Sequence, residues 1–181
     1  MEIRFIKLTE PTVDIANVLD RWENDPSLIP LIRLNRDQAA LQQKRTVTVD
    51  ALDRRLSNHQ VYLIYLGDEL VGEMDYQIDP PILYKKETET AWIGIVIGEE
   101  IARGKGVGFQ ALQFLEQEIK AQGLKRIELG VFEFNTNAIR LYEKLGYQKI
   151  AHIDSFTFWQ DRMWQDVRME KYIQQGMESL P

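Results

Sequence analysis

Three glycines at alternate positions, Gly104, Gly106 and Gly108, are interleaved with Arg103, Lys105 and Val107. Glycine lets a backbone turn tightly and approach a ligand closely. An apolar run from Trp92 to Ile97 precedes this stretch, and an amphipathic run from Phe109 to Gln122 follows it. A strand, a glycine turn and a helix start gather unpartnered N–H groups at the positive end of a helix dipole. That chemistry suits a phosphate, and Arg103 and Lys105 add formal positive charge.

Spacing narrows the ligand. A P-loop carries Ser or Thr after its lysine, but Lys105 is followed by Gly106. A dinucleotide fingerprint is spaced Gly-x-Gly-x-x-Gly with an acidic residue further on; here the glycines alternate and that residue would be Glu128, inside a strand. The chain has no cysteine, so thiolate nucleophiles and cysteine metal sites are excluded. Its two histidines, His59 and His152, are far apart and predict no metal site. A net charge of −6 argues against a nucleic-acid partner. The first eight residues do not form a signal peptide, and no apolar run is long enough to span a membrane, so the expected location is the cytoplasm.

The elements that must hold the loop follow from periodicity. Residues 3–8 alternate as a first strand. Thr9 or Thr12 caps a helix with Ile15, Val18, Leu19 and Trp22 on one face and Pro11 in its first turn. Residues 28–43 are left open between a short helix and a loop. Thr48 caps a further helix. Residues 61–66 and 70–78 form a hairpin turning at Gly67-Asp68-Glu69. Residues 91–97, apolar on both faces, form a central strand. After the loop helix, which Gly123 stops, come a strand over 126–132, a helix capped by Asn135 or Asn137, and a final antiparallel pair turning at Gln160-Asp161. The expected organisation is α/β: one domain over residues 1–172 with a mixed sheet of about seven strands and flanking helices, then a frayed tail over 173–181.

The stretch Arg103-Gly104-Lys105-Gly106-Val107-Gly108 resembles the acyl-coenzyme A pyrophosphate loop of the GNAT superfamily of N-acyltransferases. A second signature of that family follows at Asn135-Thr136-Asn137-Ala138-Ile139-Arg140-Leu141-Tyr142-Glu143-Lys144-Leu145-Gly146-Tyr147. The segment Trp22-Glu23-Asn24-Asp25-Pro26 and the hairpin at Asp161-Arg162-Met163-Trp164 resemble the branch with ribosomal-protein, spermidine and aminoglycoside 6′-acetyltransferases.

The resemblance implies a splayed pair of parallel strands, 91–97 and 126–132, with acetyl-CoA between them. It places pantetheine against Ile95 and Ile97, the thioester oxygen near the N–H of Val96, and the pyrophosphate on residues 103–108. Gly94 would mark a local irregularity. Asn135 is a helix cap, a cofactor contact or both. Tyr142 is either a packing aromatic or the family's general acid, protonating the departing thiolate. Many members carry a base on the fourth strand, where this chain has Trp92. Glu73 is the named candidate base, with Asp75, Glu89 and a water chain as alternatives. Trp22, Tyr84 and Trp159 are candidates for the acceptor site, and the C-terminal aromatic hairpin for that site or a homodimer contact. The implied activity is direct acetyl transfer to a primary amine, on a small molecule or a protein N-terminus. The rival reading is an acyl-CoA-binding regulatory module without turnover.

Overall fold

Seven strands take up the alternating segments: β1 (Ile3–Lys7), β2 (Gln60–Leu66), β3 (Glu69–Ile78), β4 (Thr90–Ile97), β5 (Arg126–Phe132), β6 (Gln148–Trp159) and β7 (Arg162–Tyr172). In the computed structural model, which describes residues 2–173, they form one sheet in the order β1-β2-β3-β4-β5-β7-β6. Every neighbouring pair is antiparallel except β4 and β5. The expected tail largely falls outside the described residues. Its first residue, Ile173, is tied down, since its N–H donates to the Lys125 carbonyl at 2.8 Å and its side chain packs on the core.

Helices cover both faces. On one face lie α5 (Val107–Ala121) and α6 (Thr136–Lys144). Ala111, Leu112, Leu115 and Ile119 of α5 pack there on Ala91, Ile93, Ile127, Leu129 and Val131, in the main core. On the other face lie α1 (Val13–Glu23) and α4 (Val49–Leu56), where Ala16, Leu19, Trp22 and Leu52 form a second cluster. The segment left open holds two short helices, α2 (Ile29–Ile32) and α3 (Gln38–Gln42).

Local chemistry explains the boundaries. Thr12 caps α1, accepting from the Ile15 N–H, so Pro11 lies before the cap rather than in the first turn. Thr48 caps α4 in the same way. The β6–β7 turn places Gln160 and Asp161 at φ of 50° and 58°, as a two-residue hairpin with the twist of its strands requires. Residues 79–89, between β3 and β4, lie across the sheet on the face opposite α5. Glu128, buried on β5, accepts the Tyr84 N–H at 2.5 Å, and Arg168 of β7 donates to the Ile82 carbonyl at 2.9 Å.

Candidate active site

The β4–β5 ladder pairs Thr90 with Arg126, Ala91 with Ile127 and Trp92 with Glu128, then stops. From Ile93 to Ile97, β4 remains paired with β3, while β5 continues along β7 to Phe132. The two parallel strands therefore part after Trp92 and leave a gap between their C-terminal halves. Ile95, Val96 and Ile97 border that gap on β4.

The glycine turn lies at the end of β4. A short 3₁₀ turn, Glu100–Ala102, leads into Arg103 and the glycines. Gly104 and Gly106 have φ of 70° and 77°, a left-handed conformation that L side chains rarely adopt, and a Cβ on either would enter open space. Gly106 caps α5 without a side chain. Gly108 has a different reason: a Cβ there would lie 3.3 Å from Leu141 Cδ2, so its absence lets α5 approach α6. Among the described residues, no acceptor takes a hydrogen bond from the backbone N–H groups of Gly104 to Phe109. A run of free donors at a helix N-terminus, with open space before it, fits a pyrophosphate.

Arg103 contributes differently from its sequence neighbours. Its N–H donates to the Glu100 carbonyl at 3.0 Å. Its guanidinium turns back to donate to the carbonyls of Ile97 and Gly98, at 3.2 and 2.9 Å. Arg103 thus fastens the turn to β4, and the free donors begin at Gly104.

Tyr142 projects from α6 into the core beside Tyr147, ring centroids 5.8 Å apart. It is 7% exposed, and burial pushes its phenol up to about 12. Among the described residues no group hydrogen-bonds its hydroxyl, and that oxygen is not sealed from solvent. Asn135 caps α6, its Oδ1 accepting from the Ala138 N–H at 3.3 Å, while its Nδ2 has no partner among the described residues.

The named base is held fast. Both carboxylate oxygens of Glu73 accept from Arg55 Nη1, at 3.0 and 2.9 Å, and Arg55 Nη2 donates to Asp75 Oδ2 at 2.9 Å. Burial raises the Glu73 carboxyl despite Arg55. Glu89, exposed just before β4, pairs with Lys125. Gly94 does not mark a bulge, since β3 and β4 stay in register through Asp75 and Gly94. Its missing side chain instead makes room for Asp75, whose Oδ1 would lie 2.7 Å from a Cβ there.

The three acceptor-site candidates are not brought together. Trp22 is 2% exposed, its ring on the backbone of Gly98 and its Nε1 donating to Glu99 Oε1 at 2.8 Å; it is a packing residue with no surface for a substrate. A Cβ on Gly98 would fall 2.1 Å from the indole. Gly98→Ala should therefore cost about 1–3 kcal/mol by overpacking, measured by urea denaturation; unchanged stability would show that the ring relaxes freely. Tyr84 is 54% exposed, on the 79–89 loop. Trp159 lines a cleft of about 340 Å³ with Ile29, Pro30 and Leu41. The hairpin aromatics pack on rings at the end of β5: Trp159 and Trp164 meet Phe134, and Phe156 meets Phe132.

Sequence reasoning passed over Arg55, Asp166 and Arg168. Asp166 and Arg168 alternate on β7 and face the strand carrying Trp92: the Arg168 guanidinium lies 4.8 Å from the Trp92 ring centroid and donates to Asp166 Oδ2 at 2.6 Å. Charged residues at alternate strand positions ordinarily face water, and nothing in the sequence told that β7 would lie inside the sheet, between β5 and β6.

Residues 20–147 match the Acetyltransferase (GNAT) family. The spermine/spermidine N(1)-acetyltransferase of Bacillus subtilis is 36% identical over 95 residues, 52% of this chain and 62% of that protein. An uncharacterized N-acetyltransferase of the same organism is 31% identical over 116 residues, 62% of this chain and 71% of that protein. The chain thus spans under two thirds of the polyamine enzyme's length. Among solved structures, the spermidine N-acetyltransferase of Vibrio cholerae in complex with CoA and spermine superimposes with a TM-score of 0.72 at 16% identity, covering 94% of this chain and 95% of that one. The ribosomal-protein-alanine N-acetyltransferase of Brucella melitensis gives 0.71 at 17%, covering 96% and 100%. Those likenesses concern the fold: a mixed seven-stranded sheet with helices on both faces. With its parted parallel strands, its glycine turn and its matching sequence, the chain belongs to the Acetyltransferase (GNAT) family.

Proposed function

We propose that the chain is an acetyl-CoA-dependent N-acetyltransferase that acetylates a primary amine directly, on a small molecule or a protein N-terminus. One observation carries this reading: the gap between β4 and β5 opens beside an uninterrupted run of free N–H groups at the start of α5. The gap suits an extended pantetheine arm, and the donors suit its pyrophosphate. Bound acetyl-CoA supplies the activated acetyl thioester.

In this proposal the backbone of Gly104, Lys105, Gly106, Val107 and Gly108 holds the pyrophosphate, and Arg103 keeps the turn in place. Lys105, which makes no ion pair among the described residues, adds charge. Ile95, Val96 and Ile97 line the pantetheine path, with the Val96 N–H as donor to the thioester oxygen. Asn135 contributes its free Nδ2 to the same ligand while capping α6. Tyr142 donates to the leaving sulfur. Tyr84 and Trp159 are placed at the acceptor side, and Trp22 is assigned to packing. The cytoplasm is the proposed location, in keeping with the absence among the described residues of any helix long and apolar enough to cross a membrane.

A panel of primary amines, assayed by free-thiol release from acetyl-CoA, tests the reading. Thiol release that depends on one class of amine is expected. Acetyl-CoA binding with no release on any amine would instead favour the regulatory module.

A further inference from the structure

We propose that Asp166 of β7, held by Arg168, is the base that takes the proton from the acceptor ammonium at the mouth of the β4–β5 gap. The inference rests on the acetyltransferase reading above.

The argument begins with Gly130. Trp92 and Glu128 are the last paired residues of β4 and β5, so Gly130 is the next β5 residue on the same face, just where the strands part. A Cβ on Gly130 would lie 2.7 Å from Asp166 Oδ2, 3.2 Å from Asp166 Oδ1 and 3.0 Å from Trp92 Cη2. The missing side chain is therefore replaced by a carboxylate and an indole edge. Ile93, Leu129 and Val131 point the other way, into the core that holds Tyr142. Asp166 and Tyr142 thus approach the gap from opposite faces of the sheet. A proton acceptor for the incoming amine and a proton donor for the leaving sulfur are best kept apart in this way, because direct exchange between them would be unproductive.

Asp166 also has a free oxygen. Its Oδ2 accepts from Arg168 Nε, whereas its Oδ1 has no partner among the described residues, on a side chain only 4% exposed. Glu73, by contrast, has both oxygens on Arg55. Asp75 has a free Oδ1 over Gly94, but its side chain is 15% exposed and Arg55 and His59 stand behind it. Burial raises the Asp166 carboxyl, against the pull of Arg168, and so brings it nearer to an amine. Its charged and aromatic surroundings are few. Arg168 is on its own strand, and Glu128 of β5 lies 3.8 Å from Arg168 Nη1. The rings of Trp92 and Phe156 lie 4.8 and 5.8 Å from the guanidinium, and the 79–89 loop contributes the Ile82 carbonyl.

The step balances. The acceptor ammonium gives one proton to Asp166 Oδ1, and the resulting amine attacks the thioester carbon as the C–S bond breaks. The amide keeps one of the three ammonium protons. A second passes from Asp166 to solvent. The third leaves as the amide forms and, through solvent, restores the proton that Tyr142 gives to the sulfur.

The test uses the full chain, acetyl-CoA and two primary amines of similar size: an ordinary alkylamine accepted in the panel, and a weakly basic analogue already neutral at pH 7. Asp166→Asn keeps an acceptor for Arg168 Nε but cannot take a proton. With the alkylamine at pH 7 its kcat should fall about 10²–10³-fold; with the neutral amine the fall should be about fivefold or less. The melting shift caused by acetyl-CoA should persist. Equal loss on both amines, or full activity on the alkylamine, would overturn the assignment. Should Asp166→Asn not fold, Asp75→Asn decides: an unchanged acid limb in kcat/KM supports Asp166, and loss of that limb overturns it. Wild-type protein that binds acetyl-CoA yet releases no thiol would sink the acetyltransferase reading and this assignment together. Wild-type turnover with an indifferent Asp166→Asn would sink the assignment alone.

Discussion

Gly106→Val should weaken acetyl-CoA binding about 100-fold or more, equivalent to about 2.7 kcal/mol. Two effects add. Gly106 has a φ of 77°, where a side chain costs roughly 1–2 kcal/mol and a β-branched one is the least tolerated. The turn would relax and withdraw its N–H groups from the line along which they now point. The new side chain would also enter the open space in front of those donors, since nothing lies within 4 Å of a Cβ there. The two are separable, because strain alone lowers stability without necessarily changing affinity. Isothermal titration gives the affinity and urea denaturation the stability. A less stable variant with wild-type affinity would show that the pyrophosphate lies elsewhere.

Tyr142→Phe should lower kcat about 100-fold, with acetyl-CoA affinity within about threefold of wild type. The phenylalanine keeps the ring that packs on Tyr147 and removes a hydroxyl with no partner among the described residues, so stability should change little. Burial pushes the phenol up to about 12, so it stays protonated across any workable pH. The sign follows: Tyr142 can set no fall in rate below about pH 10, and an alkaline limb at pH 8–9 would belong to another group. A phenol this weak would donate well to a developing thiolate if the bound sulfur shared its buried surroundings, since burial would also raise the thiol above its ordinary value near 8.5. Stopped-flow thiol detection measures the effect, and an unchanged kcat would remove Tyr142 as the acid.

The glycine turn and the cap of α6, which the proposed donor site uses, were legible because they are local. Arg103 to Gly108 and Asn135 to Tyr147 are contiguous stretches, and glycine positions report backbone conformation directly. Strand β5 fell at its expected bounds, as did the cap at Thr48 and the Gln160-Asp161 turn, and of the two caps expected for α6 the first, Asn135, is the one formed; each is set by residues next to one another in sequence. What failed depended on contacts across the chain. Trp22 was an aromatic on a helix face, and nothing near it in sequence told that Gly98 would lie beneath its ring. Glu73 was a plausible carboxylate until Arg55, on a helix 18 residues earlier, occupied both its oxygens. Asp166 meets Gly130 and Trp92 only because β7 inserts between β5 and β6, an order that periodicity does not reveal. Residues 28–43 remained open because α2 and α3 have four and five residues, too few for a helical period.

The central claim is that the parted strands and the glycine turn form an acetyl-CoA site, and a melting titration tests it most directly. At 100 times its dissociation constant, a ligand that binds only the folded chain adds about 2.7 kcal/mol. For a domain of this size that is a rise of roughly 5–10 °C in Tm. Acetyl-CoA should produce this rise in the wild-type chain and not in Gly106→Val. No rise at saturating acetyl-CoA, or an equal rise in both proteins, would contradict the account.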